Sequence, residues 1–198
     1  FIFNISEDGT ELMGSTFLTP TGGNYGTFGN PGTYNNTVSF AQNIMHPFDI
    51  LITANNEVWA GGNIQSSNLA TSNNAFQPTY GGGNSDGFVM KFNQELSDQL
   101  FMSYIGGSDR DGVTALKQNH DGNIVISGIT HSNNFPTTTG ALLEAHPGGN
   151  QSYGFVSVID NETHGLLQST YLGITTGHSQ AVDVSIHNNN VHVLGRTR

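Results

Sequence analysis

Cysteine is absent from this 198-residue chain, which excludes a disulfide framework, thiolate metal sites and thiol catalysis. Basic residues are scarce: 5 Lys and Arg stand against 15 Asp and Glu, a formal net charge of −10. That balance argues against nucleic acid or an anionic membrane as a partner. No apolar run approaches the ~18 residues that a membrane span needs, so no spanning segment is expected. No signal segment is visible either. Phe1 already lies inside a strand-like run, so the sequence reads as an excised or processed piece. Charged residues make up only 10% of the chain and hydrophobic ones 35%. Helix-forming patterns are missing too, because the polar mass is Asn, Ser and Thr, which favour turns over helix interiors.

What is present is glycine, 26 residues of it, and short apolar runs between polar turns. The runs repeat. Phe1-Ile2-Phe3-Asn4-Ile5, Phe88-Val89-Met90-Lys91-Phe92 and Phe155-Val156-Ser157-Val158-Ile159 each open on a Phe that lies 16 positions before the aromatic of a second run. Those second runs are Ser15-Thr16-Phe17-Leu18, Met102-Ser103-Tyr104-Ile105 and Ser169-Thr170-Tyr171-Leu172. A second strand pair follows each unit, ending in Val58-Trp59-Ala60-Gly61-Gly62, Ile124-Val125-Ile126-Ser127-Gly128 and Val191-His192-Val193-Leu194-Gly195. Gly62, Gly128 and Gly195 hold one repeat position, 66 and 67 residues apart. A strand glycine that recurs in this way marks a close backbone approach or a bend. Four short antiparallel strands at a fixed period fit a β-propeller blade, so the expected fold is all-β: a propeller fragment of about three blade-equivalents with four-stranded antiparallel blades.

The segments Asn73-Asn74-Ala75-Phe76-Gln77-Pro78-Thr79-Tyr80-Gly81-Gly82-Gly83, Asp86-Gly87-Phe88-Val89-Met90-Lys91-Phe92, Ser103-Tyr104-Ile105-Gly106-Gly107-Ser108, His120-Asp121-Gly122-Asn123-Ile124-Val125-Ile126-Ser127-Gly128 and Thr130-His131-Ser132-Asn133-Asn134-Phe135-Pro136-Thr137-Thr138 carry a resemblance. Together they resemble the SBBP-type β-propeller repeat family of bacterial secreted and surface proteins. The chain departs from the pattern in the insertion 19–47 and in Gly173-Ile174-Thr175-Thr176, where a double glycine is lost. The resemblance implies one arc over 1–198: outer strands 1–18, an inserted loop 19–47, whole blades 48–105 and 113–172, and inner strands 181–197. It also implies an extracellular or cell-surface setting. Three blade-equivalents fall short of a closed ring, so the ends call for the remaining blades of a larger parent chain or for self-association head to tail.

Motifs that carry chemistry are few. Asp109-Arg110-Asp111-Gly112 and Asn119-His120-Asp121-Gly122-Asn123 are oxygen-rich loops, and calcium is the one cofactor they could hold. Asp109 and Asp111 are the candidate metal ligands; a tight turn with a positive φ at Gly122 is the plain reading of 119–123. The eight histidines lack the spacing of a zinc site and read as loop polar residues and satisfied strand histidines; His178 and His187 could approach one another near the third inner strand, which only the fold decides. No nucleophile elbow occurs, and no carboxylate pair stands out as a general acid and base. Tyr25, Phe28 and Tyr34 in the inserted loop, with Trp59, are candidates for stacking on a glycan or partner; Trp59 sits in a strand, which points to the core instead.

The expected function is a non-catalytic interaction or scaffolding module that binds a protein or glycan through its loops and needs no cofactor. One alternative is a propeller-based polysaccharide lyase or hydrolase, for which Asp183, His187 and Arg196 are the candidate residues. Another is a passive structural spacer or exported cargo domain.

Overall fold

The computed structural model describes residues 2–16, 45–174, 177–188 and 190–198. Among them the chain is all-β, with no helix and twelve strands. Strands β3 (Met45–Ile52), β4 (Val58–Ile64), β5 (Asp86–Phe92) and β6 (Gln99–Ile105) form one four-stranded sheet in that order. Strands β7 (Asp111–Gln118), β8 (Ile124–Thr130), β9 (Tyr153–Ile159) and β10 (Leu166–Leu172) form a second with the same order. Two hairpins flank them, β1 (Ile2–Ile5) with β2 (Leu12–Thr16), and β11 (Ser179–His187) with β12 (Asn190–Thr197). Every neighbouring pair is antiparallel. β3 begins at Met45, three residues inside the expected inserted loop.

Strict apolar–polar alternation is weak in this sequence because the middle strands bury both faces. All seven residues of β5 are buried. Val58, Ala60, Phe88, Met90, Phe92, Met102 and Tyr104 lie on one face of the first sheet, and Ile2 of β1 joins their cluster. Trp59, Val89 and Phe101 on the other face pack with Ile124, Ile126, Phe155, Ile159 and Tyr171 of the second sheet. The far face of the second sheet then meets β11 through Ala115, Val125 and Val184. The first strand of each unit makes this contact: β7 lies against β3, β4 and β5, and β11 against β7, β8 and β9. Each large apolar side chain buried in these layers contributes roughly 1.5–3 kcal/mol, so the fold is held by stacking of sheets rather than by either sheet alone.

The repeated glycines take their meaning from the register. Gly62 stands opposite Phe88 and Gly128 opposite Phe155, and those rings in turn stand opposite Tyr104 and Tyr171. Turns at the far end of the hairpins each contain one left-handed residue, among them Asn56, Leu96, Gly122 at φ 85° and His164. In the 119–123 turn the Asn119 amide oxygen accepts from the backbone N–H groups of Asp121 and Asn123. That local bonding makes the turn self-sufficient.

One device recurs that no single motif announced. The Tyr104 hydroxyl donates to the Ser66 carbonyl at 2.8 Å and accepts from the Leu69 N–H at 2.8 Å. Tyr171 does the same with the Ser132 carbonyl and the Phe135 N–H, both at 2.9 Å. Each tyrosine therefore pins the long connection that leaves the second strand of its sheet. Tyr104→Phe orphans the Ser66 carbonyl and the Leu69 N–H, and Tyr171→Phe orphans the Phe135 N–H and leaves the Ser132 carbonyl only the 3.5 Å bond from the Thr130 hydroxyl; each should cost about 1–3 kcal/mol in urea unfolding. Equal losses at the two sites are expected, because the two clamps are built alike.

Both ends of the stack are open. β3 exposes Phe48, Ile50 and Ile52, and β12 is exposed along its whole length, with Leu194 64% accessible. Apolar strand faces and edges of this kind invite further strands to cover them.

Candidate functional site

The sheet order places all tight turns at one end and all long connections at the other. The segments 65–85, 106–110 and 131–152 therefore gather at one end of the stack. Two polar clefts open there. One, of 210 Å³, is lined by Ser108, Asp109, His131, Asn133, His146 and Asn150 among others. The other, of 500 Å³, lies between Phe48, Asn63, Gln65, Asn84, Ser85 and Arg110.

The walls of the smaller cleft are fixed by hydrogen bonds between consecutive units. The Asn134 side-chain oxygen accepts from the Ser108 N–H and hydroxyl at 2.8 and 2.9 Å. The Ser132 hydroxyl accepts from the Asp109 N–H at 2.8 Å and donates to the Asp111 carboxylate at 2.8 Å. His146 stands edge-on to the rings of Tyr153 and Tyr171, at 4.8 and 5.6 Å between centroids. The His131 ring lies 6.4 Å from that of His178. Burial holds the His131 imidazole below its ordinary range, against the pull of Asp109. A neutral imidazole beside amide and hydroxyl groups both donates and accepts hydrogen bonds, as recognition of a hydroxylated or peptide ligand requires.

Behind the cleft wall lie two carboxyl groups that the sequence reading did not pair. Asp86, at the start of β5, is 0% exposed, and Asp111, at the start of β7, is 1% exposed. The Asp86 Oδ2 accepts from the Gly81 N–H at 2.6 Å, and the Asp111 Oδ2 accepts from the Gly107 N–H at 2.7 Å. The Oδ1 atom of each has no hydrogen-bond partner. Burial pushes Asp86 up to about 7, with the neighbouring Asp111 adding to the rise against the Gly81 and Gly82 amides. Burial likewise pushes Asp111 up to about 6, against the bonds from Gly107 and Ser132 to its Oδ2 and the nearby Thr130 hydroxyl, with Asp109 adding to the rise. The other groups coupled to the pair are the phenols of Tyr80, Tyr104 and Tyr171, none of them cationic.

These shifts set a pH dependence whose sign follows from linkage. Both carboxyls titrate above their ordinary 3.8, so the fold favours their neutral forms. Their stabilisation is complete below about pH 4 and is lost as pH rises through 6 to 7. In chelator-treated buffer the native protein should lose on the order of a few kcal/mol between pH 5 and pH 8. His131 and His164, both held low by burial, work in the opposite sense below pH 6.5. The carboxyl contribution is therefore read as the difference between wild type and Asp86→Asn or Asp111→Asn, whose profiles should be flatter from about pH 4 up to the folded-state values, about 7 for Asp86 and about 6 for Asp111.

The structure distributes the sequence candidates unevenly. Asp109 lines the smaller cleft, where its Oδ1 accepts from the Arg110 N–H, whereas Asp111 is buried behind it. Trp59 is 0% exposed and its Nε1–H donates to the Asn161 side-chain oxygen at 3.0 Å. It is a core residue, so its face is not available to a ligand. Tyr25, Phe28 and Tyr34 lie outside the described residues. His178 and His187 do not approach one another: His178 immediately precedes β11 and His187 ends it, so roughly 30 Å of extended strand separates them. Asp183, His187 and Arg196 do not converge either, because Arg196 sits opposite Gln180 at one end of the hairpin and His187 opposite Asn190 at the other. Among the described residues no three His, Asp or Glu side chains are grouped as a metal site, nor is any helix long and apolar enough to cross a membrane. No family model matches the chain, and no curated protein matches it.

Proposed function

We propose that the chain is an arc of an SBBP-type β-propeller, acting as an extracellular or cell-surface interaction module of a secreted bacterial protein. It binds a protein or glycan partner through the end where the long connections gather. One observation carries the reading: equivalent connections, each pinned by a tyrosine, meet at a single end and frame polar clefts lined by His131, Asn133, His146 and Asp109. Loops held on a rigid β scaffold are where recognition is commonly placed. The stacked sheets support the propeller reading, since each unit lays its first strand on the sheet before it, as neighbouring blades do. The open faces of β3 and β12 are what further blades would cover.

The test is a glycan array and a peptide library probed with wild type, His131→Ala, Asn133→Ala and the triple alanine variant of Tyr25, Phe28 and Tyr34. Binding that falls at least 10-fold in these variants, with melting temperatures unchanged, is the expected result. A wild type that binds nothing on either surface would instead support the spacer reading, and turnover of a glycan would support the lyase or hydrolase reading.

A further inference from the structure

We propose that Asp86 and Asp111 together form a site for a hard divalent cation of the calcium class, set at the junction between the two four-stranded sheets. The site differs from the sequence-level pair, since it joins Asp111 to Asp86 rather than to Asp109.

Two independent features point to it. First, both side chains are buried, yet each leaves one carboxylate oxygen, Oδ1, without a hydrogen bond. A buried carboxylate that lacks partners is costly, and two side by side are costlier, unless a proton or a cation compensates them. Second, the two carboxyls converge on one corner of the backbone. A Cβ on Gly106 would stand 2.8 Å from the Asp86 Oδ1 and 2.8 Å from the Asp111 Oδ2, so the bare α-carbon of Gly106 is what lets the two carboxyls share this corner.

N–H donors hold the Oδ2 side of each carboxylate, Gly81 and the Gln77 Nε2 on Asp86 and Gly107 on Asp111, so the Oδ1 atoms are what a cation would meet. The Gln77 Oε1 accepts from the Gly106 N–H at 3.0 Å, and the Gly106 and Gly107 carbonyls face Gly81, whose N–H binds Asp86. A donor set of two carboxylates and backbone carbonyls, with neither thiolate nor imidazole, selects calcium or magnesium over zinc or copper. Calcium tolerates irregular shells built from backbone oxygens better than magnesium does. A cation here would join the end of the first sheet to the start of the second, and so fix the walls of the neighbouring cleft through Ser132 and Asp109.

The experiment is equilibrium dialysis of the full 198-residue chain against Ca²⁺ at pH 7.5, alongside thermal melts in Ca²⁺ and in EDTA. One Ca²⁺ per chain and a melting temperature at least about 5 °C higher in Ca²⁺ are expected. Asp86→Asn and Asp111→Asn should bind at least 10-fold more weakly, and Gly106→Ala should lose binding because its methyl fills the corner. Asparagine preserves the Oδ bonds to Gly81 and Gly107, so circular dichroism in EDTA should show both variants folded. Terbium luminescence sensitised by Tyr80 and Tyr104 reads the same site in the wild type without any substitution. Absence of bound Ca²⁺ in the wild type, or binding unchanged in Asp86→Asn and Asp111→Asn, overturns the proposal and leaves the pair compensated by a proton alone.

Discussion

Gly128→Ala is expected to destabilise the protein by about 3 kcal/mol, at the upper end of what overpacking costs. An added methyl would stand 2.6 Å from Cε1 and 2.7 Å from Cζ of Phe155, and closer still to the Gly112 carbonyl oxygen. The ring could turn aside, but the carbonyl belongs to the backbone of β7, which is hydrogen-bonded to β8 and packed on the first sheet. Relief therefore requires a strand to move rather than a side chain. For a chain of this length the loss corresponds to a fall of roughly 6–12 °C in melting temperature, read by calorimetry. Gly165→Ala is the control: its nearest neighbour, the Thr163 hydroxyl, is 3.6 Å away, so the change should be nearly neutral. Equal costs at the two positions would mean that the recurring glycine has no packing role.

The second large effect belongs to the Glu57–Lys91 pair. The Lys91 ammonium sits 2.9 Å from the Glu57 carboxylate and 2.9 Å from the Asn161 carbonyl, which it bonds, and 5.8 Å from the centre of the Trp59 ring. The lysine side chain is only 5% exposed and the glutamate 23%. Removal of the two partners is therefore unequal. Glu57→Gln strands a buried ammonium with one carbonyl and a ring face, and should cost about 2–3 kcal/mol, below the 3–5 typical of a fully buried pair. Lys91→Met leaves a carboxylate that water and the Asn161 side-chain amide can still solvate, and its apolar chain fills the same space. Its cost should be about 1 kcal/mol or less. Urea unfolding of the two single variants measures the asymmetry; a larger loss from Lys91→Met would show that the pair contributes mainly through attraction rather than through relief of a buried charge.

The strands and their pairing were legible because period carries that information. Phe88 and Phe155, Tyr104 and Tyr171, and Gly62 and Gly128 recur at spacings that only repeated strands explain, and the register places them in corresponding rows. Burial on both faces was less legible, since Val89 and Lys91 alternate with Phe88, Met90 and Phe92 as though one face met solvent. Lys91 shows why: its charge is compensated inside the layer by Glu57, which lies 34 positions earlier in sequence.

The candidate site was harder to read. Asp86 precedes Gly87-Phe88 in an ordinary strand start, and nothing local marks it as the neighbour of Asp111 across a sheet junction. His131 and His146 were visible as residues but not as lining of one cleft, because they stand 15 positions apart along an irregular connection. The one local signal that went unused was the 66-residue spacing of Ser66 with Ser132 and of Leu69 with Phe135, which pairs the two tyrosine clamps.

The face-to-face stacking of the two four-stranded sheets is the claim on which the rest depends, and the chain carries its own probe of it. Trp59 is the single tryptophan. It lies with Phe101 and His164 in the layer shared by the first and second sheets, and donates to Asn161 in the turn after β9. The most direct measurement is its fluorescence emission with acrylamide and iodide quenching, before and after urea unfolding. Stacked sheets predict blue-shifted native emission that neither quencher reaches, with full quenching once the chain unfolds. Red-shifted native emission that iodide quenches freely would place Trp59 in water and contradict the packing of one sheet on the next.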